Sequence, residues 1–162
     1  MFMEEVQATG CDGSGAHAQV YIMNTILRYG SDEQKSHYLP KIADGSLRLQ
    51  AFGVSEPTSG TDTLSLKTRA VRDGNEYVIN GQKIWTSRAE HSDLMLLLAR
   101  TTPREEVEKK TEGLSMFLVD MRQAREAGME VKPIRTMMNH SSCEVFFDDL
   151  RIPATALVGE EG

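Results

Sequence analysis

The hydrophobic period of this chain changes once, at Leu47, and that change limits the fold more than any other feature. Before it, apolar residues recur at helical spacing. Within residues 16–29 (AHAQVYIMNTILRY), Val20, Met23 and Leu27 share one face, while Ile22, Ile26 and Tyr29 make a second. An apolar surface that wide predicts a helix packed on more than one side, ended by Gly30. Ser31 and Gln34 have capping-box spacing, with Asp32 and Glu33 favourable in the first turn of the next helix. Pro40 is expected to break that helix or to start a short new one, and Gly45 to end the helical part. Beyond Leu47 the period is 2 and turn residues are frequent. Segments 48–54, 67–72, 77–80, 82–86, 93–100, 114–120, 129–133 and 144–147 are strand candidates. Asp73-Gly74-Asn75 and Asn80-Gly81 are hairpin signals, so EYVINGQKIW reads as two antiparallel strands on a tight turn. Strands without intervening helices predict an antiparallel sandwich or barrel, not a βαβ sheet. The fold class is therefore α+β, with helices over 1–46 and a mainly antiparallel β-barrel or sandwich over 47–162. Residues 101–112 (TTPREEVEKKTE) are a charged loop or short helical excursion. The opening helix pattern has no preceding partners and the chain closes on VGEEG, so a piece of a longer protein is expected.

Charge narrows the function. The 162 residues carry 18 Lys plus Arg against 24 Asp plus Glu, a net charge of −6. Non-specific binding to nucleic acid or anionic membrane needs clustered cations, and this balance argues against both. The longest apolar stretches, such as 94–99, fall far short of the roughly 18 residues that span a bilayer. The acidic start MFMEEV does not read as a targeting segment. Cys11 and Cys143 are isolated thiols, and His17, His37, His91 and His140 show no ligand spacing, so no metal is expected. Gly10, Gly13 and Gly15 are not preceded by a strand, which excludes a dinucleotide turn. A soluble protein of a reducing compartment is expected: cytoplasmic, or in the mitochondrial matrix if eukaryotic.

The chemistry lies in residues 53–65 (GVSEPTSGTDTLS), a strand end running into a turn rich in Pro, Gly, Ser and Thr. Such a loop is either a surface turn with Asx and Ser/Thr caps or a cradle of N–H groups and hydroxyls for a phosphate or a ring edge. Gly53-Val54-Ser55-Glu56, Ser59-Gly60-Thr61-Asp62 and Ser65 together resemble the flavin-binding signature of the acyl-CoA dehydrogenase family. Asn80-Gly81-Gln82-Lys83-Ile84-Trp85-Thr86-Ser87 is similar to that family's N-G-x-K-x-W-I-T/S segment. The ordered residues of 30–40 resemble its last N-terminal helix, and those of 113–119 and 145–153 its later middle-domain strands.

The resemblance implies an N-terminal helical domain, a middle β domain and a C-terminal four-helix domain absent from these residues. It implies FAD as cofactor, acyl-CoA as substrate, and electron-transfer flavoprotein or another acceptor as partner, in a full-length homo-oligomer. Oxidation runs across Cα–Cβ, and the family's glutamate base lies in the absent domain, so no residue of this chain is assigned as catalytic. Ser55 would meet the flavin pyrimidine edge, flanked by Phe52 and Val54. Gly60 and Thr61 would face the pyrophosphate, with Thr61 also reaching the CoA ester. Trp85 would pack on the ring, with Thr86 beside it, and Ser87 would bond flavin N5. Ser87 stands where many relatives have Thr, which keeps the hydroxyl and loosens its rotamer.

Each assignment has a plainer competitor. Trp85 could be strand core. Glu56 is read as structural in preference to catalytic, and Asp62 as a turn cap. Residues 104–110 (REEVEKK) read as solvated, with a CoA-facing role as the alternative. Two further functions compete with the enzyme portion: a β module that folds without retaining FAD, and a flavin monooxygenase or nitroalkane oxidase on the same scaffold.

Overall fold

The computed structural model describes residues 2–11, 13–137 and 141–162. Three helices, α1 (Phe2–Ala8), α2 (Ser14–Tyr29) and α3 (Asp32–Ala43), precede the strands β1 (Leu49–Gly53), β2 (Arg69–Asp73), β3 (Glu76–Ser87), β4 (Leu94–Arg100) and β5 (Leu114–Asp120). Helix α4 (Met121–Glu126) then leads to β6 (Met129–Pro133), β7 (Ser142–Pro153) and β8 (Leu157–Val158). Among the described residues no helix is long and apolar enough to cross a membrane.

Both bonds of the capping box form, Gln34 N donating to Ser31 Oγ and Ser31 N to Gln34 Oε1. Gln34 is itself buried, and its Nε2 donates to Thr155 O at 2.8 Å and Leu157 O at 2.9 Å, which bolts α3 to the end of the β domain. Pro40 does not end α3 as expected. It sits in the last turns, where a single donor is lost, and the next turn is anchored by buried Ile42 and by Asp44 N donating to Pro40 O. The two apolar faces of α2 are covered only in part: Ala18, Ile22 and Ile26 are buried and Met23 packs beside them, whereas Val20, Leu27 and Tyr29 stand exposed.

The sheet is mixed and mostly antiparallel, in the order β6-β7-β3-β2-β4-β5-β8, with β1 beside β4. The pairs β1–β4 and β2–β4 are parallel. The expected barrel does not close. Edge β8 is two residues long and edge β6 ends on Pro133, so neither offers the ladder that closure requires. β4 lies at the centre, and the two-residue period sorts its apolar run. Leu94 and Leu96 pack under the helices with Ile22, Ile26 and Leu118, while Met95, Leu97 and Ala99 join Tyr77, Phe117 and Val145 in the larger core.

The Asp73-Gly74-Asn75 signal is a true hairpin, with Asp73 paired to Glu76 and Gly74 at φ +60°. Asn80-Gly81 is not, and the expected pair 77–80 and 82–86 is one continuous strand, β3. Gly81 has φ +149° and passes so close to Thr68 that a Cβ would lie 2.7 Å from its Cα. Its glycine serves a close backbone approach instead of a turn. Opposite it, β7 carries the extra residue of a bulge at Asp148-Asp149, clasped by Asn80 Nδ2 donating to Asp149 Oδ1.

The start of β1 is held by Asp93, whose carboxylate accepts from Arg48 N at 2.8 Å and pairs with Arg48 Nε at 3.1 Å and Arg122 Nη2 at 2.9 Å. Burial alone would raise this carboxyl, but the Arg48 and Arg122 bonds prevail and hold it at about 2 against an ordinary 3.8. A lowered folded value means the stabilisation is present above the ordinary value and is lost as pH falls from 3.8 towards 2. The arginines are half exposed, so the effect is on the order of 1–2 kcal/mol. Urea unfolding of Asp93→Asn should show that much less acid sensitivity between neutral pH and about pH 2.5. An unchanged acid dependence would remove Asp93 from this role.

Candidate functional site

The open face of β1 presents Gln50 and Phe52, and the chain leaves that strand through Val54 and Ser55. The far half of β3 runs alongside, with Ile84 N donating to Ser55 O at 2.9 Å. Strict alternation along β3 would send Tyr77, Ile79, Lys83, Trp85 and Ser87 all inward. A bulge prevents this. Lys83 pairs with Val145 and Thr86 with Cys143, so Ile84 and Trp85 together oppose Glu144. The extra residue inverts the faces after Lys83. Thr86 turns in and is buried, while Trp85 and Ser87 turn out.

Trp85 carries the bulge at φ +60°, a conformation that costs a bulky residue on the order of 1–3 kcal/mol, and its side chain is 58% exposed. It is not core, so that competitor falls. With Tyr21 of α2, Gln50, Phe52, Val54, Ser55, Ile84 and Ser87 it lines a depression of about 210 Å³. Tyr21 stands 6.4 Å from the Phe52 ring and 5.3 Å from His17, which closes the helix side with aromatic surface.

Five of the eight expected cofactor residues meet in this depression: Phe52, Val54, Ser55, Trp85 and Ser87. Thr86 is not in the lining: its side chain faces the core, where Oγ1 lacks a hydrogen-bond partner. Gly60 and Thr61 lie outside the lining, exposed on the loop, where nothing stands within 4 Å of a Cβ built on Gly60. Asp62 caps the turn, accepting from Ser65 Oγ with its side chain and from Ser59 Oγ with its carbonyl. His140 lies outside the described residues.

The loop is fixed from beneath by Glu56 and Lys83. Lys83 is fully buried, donating to Glu56 Oε1 at 2.8 Å and to Val54 O at 3.1 Å. Glu56 also accepts from Lys67 N at 2.6 Å and Thr68 N at 2.9 Å. Burial pulls the ammonium below the ordinary lysine range, with Glu56 opposing. Burial would raise the Glu56 carboxyl, but Lys83, Lys67 and Thr68 hold it low. Buried in this pair, Glu56 is placed as its structural reading requires, and among the described residues no carboxylate lines the depression. Sequence reasoning misses Lys83 as a member of the site, although a lysine at an inward position of an alternating strand signals a buried partner.

A flavin ring fits these residues as one wall of its site. The depression is smaller than the roughly 300–1,000 Å³ of complete small-molecule pockets, yet it offers a flat indole and two outward hydroxyls, and the open glycine turn lies outside it on the same loop. A larger hollow of about 650 Å³ lies beyond the loop, rimmed by Ser65, Lys67, Arg69 and Arg104.

Family and structural comparisons agree in kind. Residues 51–150 match the acyl-CoA dehydrogenase middle domain and residues 1–46 the acyl-CoA dehydrogenase N-terminal domain. Acyl-CoA dehydrogenase FadE26 of Mycobacterium tuberculosis is 42% identical over 137 residues, covering 85% of this chain and 33% of that protein. The mitochondrial short/branched chain specific acyl-CoA dehydrogenase of Rattus norvegicus is 36% identical, over 87% of this chain and 32% of its own length. A chain of the ChsE4-ChsE5 complex from Mycobacterium tuberculosis superposes with TM-score 0.82 at 38% identity, over 99% of this chain and 39% of that one. The chain thus spans about a third of the length of the curated relatives it matches.

Proposed function

Since the chain belongs to the acyl-CoA dehydrogenase family and spans parts of its N-terminal and middle domains, we propose that it is the flavin-binding portion of an FAD-dependent enzyme that oxidises acyl-CoA thioesters across Cα–Cβ. The observation that carries this reading is Trp85, strained and exposed at once on a bulge that also turns Ser87 outward. A single strand position that bears both costs is expected where a flat ring is to be covered.

FAD, when bound, supplies the acceptor for the hydrogen that leaves Cβ as hydride. Ser55 would hold the pyrimidine edge, where a donor offsets the negative charge that builds on reduction. Trp85 would cover the ring and exclude water from one face, Phe52 and Val54 would bound it, and the Ser87 hydroxyl and Thr86 backbone would bond its N5 side. Gly60 and Thr61, on the open turn, would take the pyrophosphate, with Thr61 also towards the CoA ester. The CoA phosphates would lie along the rim that carries Lys67, Arg69 and Arg104, with Glu105 beside them. Electrons would pass on to electron-transfer flavoprotein or another acceptor, in a cytoplasmic or mitochondrial-matrix homo-oligomer.

Fluorescence titration with FAD tests the assignment. Trp85→Ala should weaken binding by about 1–3 kcal/mol through lost burial, and Ser87→Ala by about 1 kcal/mol through a lost hydrogen bond. Both variants binding like the parent would overturn it.

A further inference from the structure

Two residues next to the depression have no part in that assignment. Gln50 lines it from β1, and its Oε1 accepts from Arg88 Nε at 2.8 Å. Arg88 directly follows Ser87 and, like Trp85, has a left-handed backbone, at φ +58°, secured by its N–H donating to Ser141 O at 2.9 Å. Helix α2 closes the junction: a Cβ on Gly15 would lie 3.2 Å from Gln50 Nε2 and 3.3 Å from Arg88 Nε. Strand β1 and helix α2 therefore converge on one guanidinium, and among the described residues no carboxylate is within ion-pair distance of it. With Oε1 held by Arg88, the amide group of Gln50 is oriented as a donor whose dipole is reinforced by the cation behind it.

We propose that Arg88, acting through Gln50, is a positioning residue that makes this site prefer reduced over oxidised flavin. The proposal rests on the flavin reading above. Two-electron reduction brings two electrons and one proton from the reductant onto the ring and leaves it with a net negative charge. A neighbouring cation and an oriented donor stabilise that form selectively.

The test is the midpoint potential of the FAD-loaded chain, measured by xanthine and xanthine oxidase reduction against a dye of known potential, together with the affinity for oxidised FAD. Arg88→Met should leave oxidised-FAD affinity within about twofold of the parent, as expected for a group that acts on the reduced form. It should weaken retention of reduced flavin about tenfold, a fall of about 30 mV for a two-electron couple. Arg88→Lys, which keeps the charge, should recover most of the potential, and Gln50→Leu should lower it with the charge still present. An unchanged potential in Arg88→Met and Gln50→Leu would overturn the proposal. So would a fall that Arg88→Lys shares in full, since that would mark a structural role. A parent chain that does not bind FAD would overturn the flavin reading itself, a result distinct from binding at an unaltered potential.

Discussion

Glu56→Ala is expected to cost about 3–5 kcal/mol, a large share of the roughly 5–15 kcal/mol that holds a domain together. The reason lies with its partner. Lys83 has no solvent exposure, and without Glu56 its ammonium keeps only the Val54 carbonyl for company. The same change strands the N–H groups of Lys67 and Thr68, which donate to the carboxylate now. Because these bonds tie the residue after Ser55 to β3 and to the run entering β2, FAD affinity should fall together with stability. Urea unfolding reads the first effect and flavin titration the second. Replacing both partners in Glu56→Gln with Lys83→Met should recover much of the loss, since it removes the charge that the single variant leaves unpaired. A single variant within about 1 kcal/mol of the parent would show that the pair does not hold the loop.

The same pair shows where reading the sequence stops. The first helices, the capping box at Ser31, the Asp73-Gly74 hairpin and the strand-rich second half are all local in origin and are found where their residues predict, except that α3 runs through Pro40 and α4 is not foreseen. Asn80-Gly81 fails because a positive φ is a local demand that a turn and a close crossing satisfy equally. The choice between them is made by Thr68, thirteen positions away from Gly81, and by the length of β7. Trp85 is harder still. Counting by twos puts it on the inner face with Lys83, and nothing within KIWTS announces the extra residue that reverses it. Family resemblance identifies Phe52, Val54, Ser55, Trp85 and Ser87 as a set, whereas their shared depression depends on one bulge. Tyr21 and Gln50 join it unannounced, and Arg88 stands behind Gln50. They arrive from three separate elements whose docking is long-range, so no short motif contains them.

Saturated acyl-CoAs of several lengths, added anaerobically to the FAD-loaded chain, are expected to leave the flavin absorbance unbleached. Taking the α-proton of a thioester requires a carboxylate within hydrogen-bond reach, over the ring face where the substrate lies. The depression is lined by aromatic, aliphatic, hydroxyl and amide groups, and by no acid. Of the two carboxylates in the signature, Glu56 is buried against Lys83, and Asp62 is exposed on the loop and bonded to Ser65. Freeing Glu56 for proton transfer would sever the pair that fixes the loop, so the group nearest the site in sequence is the one least able to serve. A wall of about 210 Å³ also leaves the other ring face to solvent, where neither substrate nor hydride path is organised. Proximity and general-base terms of this kind carry several powers of ten in rate, so the expected difference is between turnover and none on the assay's timescale. Rapid bleaching by any acyl-CoA would require a base within residues 1–162 and would overturn the expectation. Bleaching that appears only when a C-terminal helical domain of a relative is supplied would locate the base there, with this chain providing the wall against which the flavin is held.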